Sequence, residues 1–347
     1  MVMNIKAQRI LIVRTDRIGD VVLTTPAIAA LRKHAPDIYI AVLVSASTAD
    51  LVRGNPHLDE VLIDDRAGKN RGLGGFWRLV GELKKKRFDA AINFHTKKRT
   101  NLACFLAGIP KRIGYQNEKF GFLLTDPLPD ERPLGAKHEA QYCMDVLGAL
   151  GIAGERIEMH VPVSDQSRVW VEEKFRKHQW DHVKPLIAIH SGSSCPTKKW
   201  PVEYFSELMG MLERKYHGSF VLLGGKDNVE TALELMKRCG VKNVLDLTGQ
   251  ISLAQLAALL ERCDLLVSND SGPVHIAAAL NTRVVSIFTR NQPGINPERW
   301  RPLGKRSAFV APALDMTVSF ANGKADDPKY LYQITPQEVM TAVDAIF

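Results

Sequence analysis

Short apolar runs alternate with longer amphipathic stretches along the whole chain, and that alternation leaves room for little but an α/β fold with mainly parallel sheets. In the first half, 9–13, 39–44, 60–63, 90–94 and 112–115 are predicted as strands. Helices are predicted near 21–33, 76–86, 100–107 and 139–150. The second half repeats the pattern, with strands at 186–190, 220–223, 244–246, 265–268 and 284–288. Its helices fall near 202–215, 228–238, 253–261 and 272–280. The Pro- and charge-rich segment 126–137 is expected as a loop, and 151–181 as a linker region with a helix around 168–177. A chain of 347 residues suits two domains of ordinary size. The expected division is 1–165 and 166–347, two doubly wound halves with a C-terminal helix on the second. Ligand-binding turns are expected at the carboxyl edges of the strands, lining a cleft between the halves.

Composition narrows the setting. Hydrophobic residues make up 45% and charged residues 24%, as in a water-soluble globular protein. No apolar run approaches the roughly 18 to 20 residues that span a bilayer. The opening residues lack the apolar core of a secretory signal, so a cytoplasmic location is expected. The five cysteines (Cys104, Cys143, Cys195, Cys239 and Cys263) are dispersed, which argues against a disulfide framework and structural zinc. No metal site is expected.

The net charge of +8 is unevenly placed. Between 66 and 119 stand fourteen Lys and Arg against Glu82, Asp89 and Glu118. A solvated surface is the plain explanation, and 84–87 has the look of a solvated helix end. So large a local excess also suits an anionic partner, and a lipid surface is favoured because the aromatic and recognition motifs of nucleic-acid modules are missing.

Five turns that follow predicted strands carry chemistry. After the first strand comes Arg14-Thr15-Asp16-Arg17-Ile18-Gly19-Asp20, neither a dinucleotide fingerprint nor a Walker loop. Asp20 is either a first-turn acid that complements the helix dipole or a general base for an attacking hydroxyl. His190-Ser191-Gly192-Ser193-Ser194 precedes Lys198-Lys199-Trp200-Pro201, where small residues and a cation suit a phosphoryl group. Gly224-Gly225-Lys226-Asp227-Asn228 places a carboxylate where ribose hydroxyls would lie, and Thr248-Gly249 is set to contact a base. Asn269-Asp270-Ser271-Gly272 lies between a buried strand and an apolar helix. It is either an anion-binding helix N-terminus or a plain cap made by Asp270 or Ser271. Taken in order, the four turns of the second half read as a nucleotide site.

These elements resemble the family 9 glycosyltransferases, the lipopolysaccharide heptosyltransferases. The matching residues are Ile18-Gly19-Asp20, Lys198-x-Trp200-Pro201, Thr248-Gly249 with Ser252-Leu253, and Asn269-Asp270-Ser271-Gly272-Pro273-x-His275. The resemblance covers nearly the whole chain. It implies a GT-B fold of two Rossmann-like domains, with the acceptor site in the first and the nucleotide-sugar site in the second. It further implies inverting transfer of a heptose from ADP-L-glycero-D-manno-heptose to the lipopolysaccharide inner core. Under it Asp20 is the catalytic base and Lys198 binds the donor phosphates. Asp270 contacts the sugar, Ser271 and Gly272 the diphosphate, and His275 lies beside them. Ser193 and Ser194 correspond to phosphate-contacting hydroxyls. Asp227, Asn228, Thr248 and Gly249 complete the donor set. Arg17, Lys97, Lys98 and Arg99 are the expected contacts to an anionic lipid-linked glycan acceptor at the cytoplasmic face of the inner membrane. His95 and His138 are open between a place at the site and a structural role. No cofactor or nucleic acid is implied. Residues 289–297, long and Pro-rich, are expected to loop over the donor site. Three other readings stay open: transfer of a different sugar, a nucleotide-sugar epimerase, and a non-catalytic nucleotide-sugar-binding protein.

Overall fold

A computed structural model describes residues 8–152, 157–180, 185–313, 320–321, 324–325 and 328–347. The chain divides into two units, one made of Met1–Pro133 and Lys137–Pro162, the other of Leu134–Ala136 and Val163–Phe347.

The first unit begins with β1 (Arg9–Arg14), α1 (Ile18–His34), β2 (Tyr39–Ser45) and β3 (Glu60–Asp64). It continues through α2 (Gly72–Lys86), β4 (Ala90–Asn93), α3 (Lys98–Leu106), β5 (Lys111–Tyr115) and β6 (Asp126–Leu128) to α4 (Glu139–Gly148). All six strands run parallel in the order β3-β2-β1-β4-β5-β6. β1, β2 and β4 are near-continuous apolar runs because helices cover both faces. α1 is buried on almost every side and tolerates Pro26 in its interior. The proline leaves the Val22 carbonyl without its helical N–H, and the Thr25 hydroxyl donates to that oxygen at 2.7 Å instead.

The second unit holds α5 (Asp165–Lys177), β7 (Leu186–His190), α6 (Val202–Tyr216), β8 (Ser219–Leu222), α7 (Val229–Arg238) and β9 (Val244–Asp246). There follow α8 (Leu253–Arg262), β10 (Leu265–Asn269), α9 (Gly272–Ala279), β11 (Arg283–Ile287), α10 (Pro297–Trp300), β12 (Ser307–Val310) and α11 (Pro336–Asp344). Its six parallel strands are ordered β12-β11-β10-β7-β8-β9. Counted from β7, that is the arrangement of the first sheet over again, the 3-2-1-4-5-6 order of a doubly wound sheet. The core gathers Trp200, Phe205, Phe220 and Ile334, with the Trp200 indole donating to the Ile334 carbonyl at 2.9 Å.

Two expectations about elements need correction. Residues 126–137 are not all loop: Asp126–Leu128 pairs with β5 as the edge strand β6, where Pro127 is tolerated. Asp270 and Ser271 do not cap α9 with their side chains; Ser271 occupies the N-cap position, but no side-chain cap bond forms.

Candidate active site

In each unit the strand order reverses beside the first strand, between β1 and β4 and between β7 and β10. Adjacent crossovers there leave in opposite directions, so the two turns at the carboxyl edge open a crevice instead of covering it. Some of the candidate residues gather there: Asp20 and Lys97 in the first unit, Lys198, Asp270 and Ser271 in the second.

In the first unit Arg14 ends β1 with a fully buried guanidinium. Its Nη2 donates to Asp20 Oδ1 at 2.5 Å and to Glu139 Oε1 at 2.8 Å, and its Nε lies 3.0 Å from Asp16 Oδ1. Nη1 donates to the Phe94 carbonyl at 3.2 Å. Three carboxylates thus surround one cation. Burial opposes the charge of Arg14, yet the three acids hold its pKa well above the ordinary arginine value. Burial would raise Asp16, but Arg14 and His95 outweigh it and bring Asp16 down to about 2. His95 Nδ1, from the turn after β4, stands 2.7 Å from Asp16 Oδ2. Asp20 moves the other way: burial, with the charges of Asp16 and Glu139, raises its pKa against the pull of Arg14. The result is a partly exposed carboxylate, in the first turn of α1, that is more basic than an ordinary aspartate.

The expected acceptor contacts separate into different places. Lys97 belongs to the cluster, its Nζ donating to the Thr15 carbonyl at 3.0 Å, and burial lowers its pKa. Arg17 is exposed at the N-cap of α1. Lys98 lies over the Phe120 ring at 5.7 Å. Arg99 is engaged by buried Asp64 through Nε and Nη2, each at 3.0 Å, and by the Asn70 carbonyl. The basic stretch is also less unbalanced in space than along the chain. Asp64 and Glu60, just outside it, pair with Arg66 and Lys86. The helix end 84–87 is solvated as expected at Lys84, Lys85 and Arg87, and Lys86 alone is tied down, by Glu60. His138 is a helix cap, its Nδ1 accepting from the Ala140 N–H at 3.2 Å.

In the second unit Asn269 joins the turns after β7 and β10. Its Oδ1 accepts from the Trp200 N–H at 3.0 Å and its Nδ2 donates to the Ser191 carbonyl at 2.8 Å. The first bond fixes the chain just after Lys198, whose Nζ donates to Asp270 Oδ2. Ser271 Oγ lies 3.1 Å from His190 Nδ1 and 3.0 Å from Ser268 Oγ. Burial brings His190 down to about 4, so the ring is neutral near pH 7. With the Ser271 side chain so occupied it does not cap α9; Pro273 has no N–H and Val274 donates to the Ser271 carbonyl at 3.2 Å, which leaves the Gly272 N–H of the first three positions. Lys198, bonded to Asp270, stands beside this helix start, where the partial positive charge of a helix N-terminus lies. His275 is buried in the first turn of the same helix.

The other donor residues gather around two glycines. A Cβ on Gly192 would lie 2.2 Å from Asn228 Oδ1, and one on Gly224 would meet Asn228 and Thr248 within 3.0 Å. Asn228 Oδ1 accepts from the Gly225 N–H at 3.2 Å, whereas its Nδ2 and the Thr248 Oγ1 are buried without a partner among the described residues. Gly249 takes a positive φ of 72° and donates its N–H to the Gly224 carbonyl, closing the turn. Asp227 and Ser194 are exposed; Ser193 is buried and its Oγ accepts from the Cys195 N–H. Among the described residues no three His, Cys, Asp or Glu side chains are grouped to hold a metal ion.

Sequence reasoning missed Glu139 as a partner of Asp20. It is 125 residues from Arg14, and as a first-turn acid of α4 its local pattern explains it fully.

Comparison with known proteins agrees with this geometry. A sequence model of glycosyltransferase family 9 (heptosyltransferase) matches residues 76–328. Lipopolysaccharide heptosyltransferase 2 of Escherichia coli is 25% identical over 353 residues, covering 97% of this chain and 98% of that protein. Lipopolysaccharide heptosyltransferase 3 of Escherichia coli is 24% identical over 337 residues, covering 94% and 96%. The crystal structure of a family 9 glycosyltransferase from Veillonella parvula superposes with a TM-score of 0.86 at 26% identity over 98% of this chain and 97% of that one. E. coli heptosyltransferase WaaC with ADP superposes with a TM-score of 0.73 at 18% identity over 98% and 100%. Two doubly wound units, each with its polar residues at the switch point, and a family match across most of the chain lead to one conclusion: the protein belongs to glycosyltransferase family 9, the heptosyltransferases, and is a glycosyltransferase of the GT-B fold.

Proposed function

We propose that the enzyme transfers a heptose from an ADP-activated donor to the inner core of lipopolysaccharide, with inversion at the anomeric carbon. The observation that carries the donor half is the uncapped N-terminus of α9 with Lys198 at its mouth. Negative charge grows on the diphosphate as the sugar leaves, and a cation and oriented N–H groups stabilise it where it forms. In this reading Lys198 exchanges its bond to Asp270 for the diphosphate, which frees Asp270 to accept from a sugar hydroxyl. Asn228 Nδ2 and Thr248 Oγ1 supply unspent hydrogen-bonding groups for the nucleotide. The acceptor half rests on Asp20, which removes the proton of the attacking hydroxyl. Lys97 at the same cluster meets an anionic acceptor. The relatives' names support heptose and lipopolysaccharide as the sugar and acceptor.

Titration calorimetry with ADP, UDP and GDP tests the donor. Selective binding of ADP is the expected result, and a preference for UDP or GDP would remove heptose as the transferred sugar.

A further inference from the structure

The carboxyl edge of the first sheet carries more than the Asp20 cluster. The chain leaves β3, β4 and β5 at that edge to begin α2, α3 and the loop leading to the one-turn segment Gly121–Leu123. These pieces form one face. α2 packs on α3, with the Arg99 guanidinium 5.3 Å from the centre of the Phe76 ring. Asn101 Nδ2 donates from α3 to the Lys119 and Phe120 carbonyls at 3.3 and 3.2 Å.

Three large apolar side chains of this face stand in solvent: Leu73 is 82% exposed, Phe122 74% and Trp77 58%. Leu73 and Trp77 are one helical turn apart on α2. A single exposed apolar residue needs no explanation, but three on neighbouring elements of one sheet edge do. Arg71, Arg78 and Lys119 are exposed among them, with Glu118 as the accompanying acid. Bulky apolar tips set among cations match the boundary of an anionic bilayer, where Trp settles at headgroup depth and Lys and Arg meet lipid phosphate. Self-pairing of the face would instead set one cation-bearing surface against another in a two-fold contact. Among the described residues no helix is long and apolar enough to cross a membrane, so attachment of this kind would be from one side.

We propose that this edge of the first unit seats on an anionic lipid bilayer, with Leu73, Trp77 and Phe122 entering the headgroup boundary and the surrounding cations meeting lipid phosphates. The proposal rests on the reading of the acceptor as lipid-linked. It places the Asp20 turn, at the same sheet edge, toward the surface from which such an acceptor would come.

The test uses vesicles of phosphatidylglycerol and phosphatidylethanolamine, with phosphatidylcholine vesicles as the neutral control. The intact protein should float with the anionic vesicles and not with the neutral ones. Brominated acyl chains should quench its tryptophan emission, and Trp77→Phe should remove most of that quenching. The combined variant Leu73→Ser, Trp77→Ser, Phe122→Ser should lose about tenfold or more of its vesicle affinity. It should keep the ADP affinity of the parent and its transfer to an acyl-free acceptor fragment. Absence of flotation, flotation unchanged in the combined variant, or quenching unchanged in Trp77→Phe would overturn the proposal. So would a dimer that the combined variant abolishes, with no vesicle binding by the parent. If vesicles bind as described while no acceptor fragment is glycosylated, the functional reading fails and the docking surface stands.

Discussion

A carboxylate that takes a proton from a sugar hydroxyl must be ionised and yet basic, and Asp20 meets both conditions through its neighbours. Arg14 keeps it charged, while burial and the charges of Asp16 and Glu139 raise its pKa above that of an ordinary aspartate. Activity should therefore rise with pH on an acidic limb set by Asp20, above the usual carboxylate range. Glu139 shares Nη2 of Arg14 with Asp20 and repels it. Replacing Glu139 with Gln removes one negative charge, which favours ionised Asp20 and shifts the acidic limb of the rate profile to lower pH. An unmoved limb would show that Asp20 is not the group titrating there. Asp20 itself was legible in the sequence, since it follows a strand and opens a helix within seven residues of local pattern. Its electrostatic setting was not, because Glu139, His95 and Lys97 arrive only when β4 and α4 are placed beside β1.

Among the elements, α9 shows how a binding site is made by leaving something out. Its N-cap serine turns to His190 and Ser268 and makes no side-chain cap; Pro273 lacks an N–H and Val274 donates its own to the Ser271 carbonyl, so of the first three positions Gly272 alone offers one. Lys198→Ala should weaken ADP-sugar binding and slow transfer together, because a charge-assisted bond to the diphosphate is lost. Unchanged affinity and turnover would contradict the phosphate assignment. The turn after β7 depends on close approach. Gly192→Ala puts a carbon 2.2 Å from Asn228 Oδ1, so Asn228 must leave Gly225 or the turn must move. A cost of about 1–3 kcal/mol is expected from such overpacking, measurable by thermal unfolding, with a parallel loss of nucleotide affinity. Most central strands were readable as apolar runs. The edge strands β6 and β12 were not: neither has a fully buried residue, whereas the equally short edge strand β9 was legible around buried Leu245.

For the whole molecule, one topology occurs twice and holds two different kinds of chemistry. The first unit gathers Asp16, Asp20 and Glu139 around Arg14 with Lys97 beside them, and the second sets Lys198 and Asp270 at the start of α9, near polar groups that have no partner among the described residues. The repeated alternation of strand and helix made the two-sheet fold legible, and the order of the turns made the family legible. The lipid-facing reading of 66–119 was already drawn from its charge, but which of its residues are exposed for such a contact needed the structure. Counting charge along the chain mixes cations committed to Asp64 and Glu60 with those at the exposed face around Trp77. This division of labour makes Asp20→Asn the decisive variant, since it should separate binding from turnover. With an ADP-heptose donor and a lipopolysaccharide inner-core acceptor, its transfer rate should fall by about 10²- to 10⁴-fold, while donor affinity by calorimetry stays at the parent's value. Transfer at the parent rate would contradict the assignment of Asp20 as the base and, with it, the account of how this enzyme works.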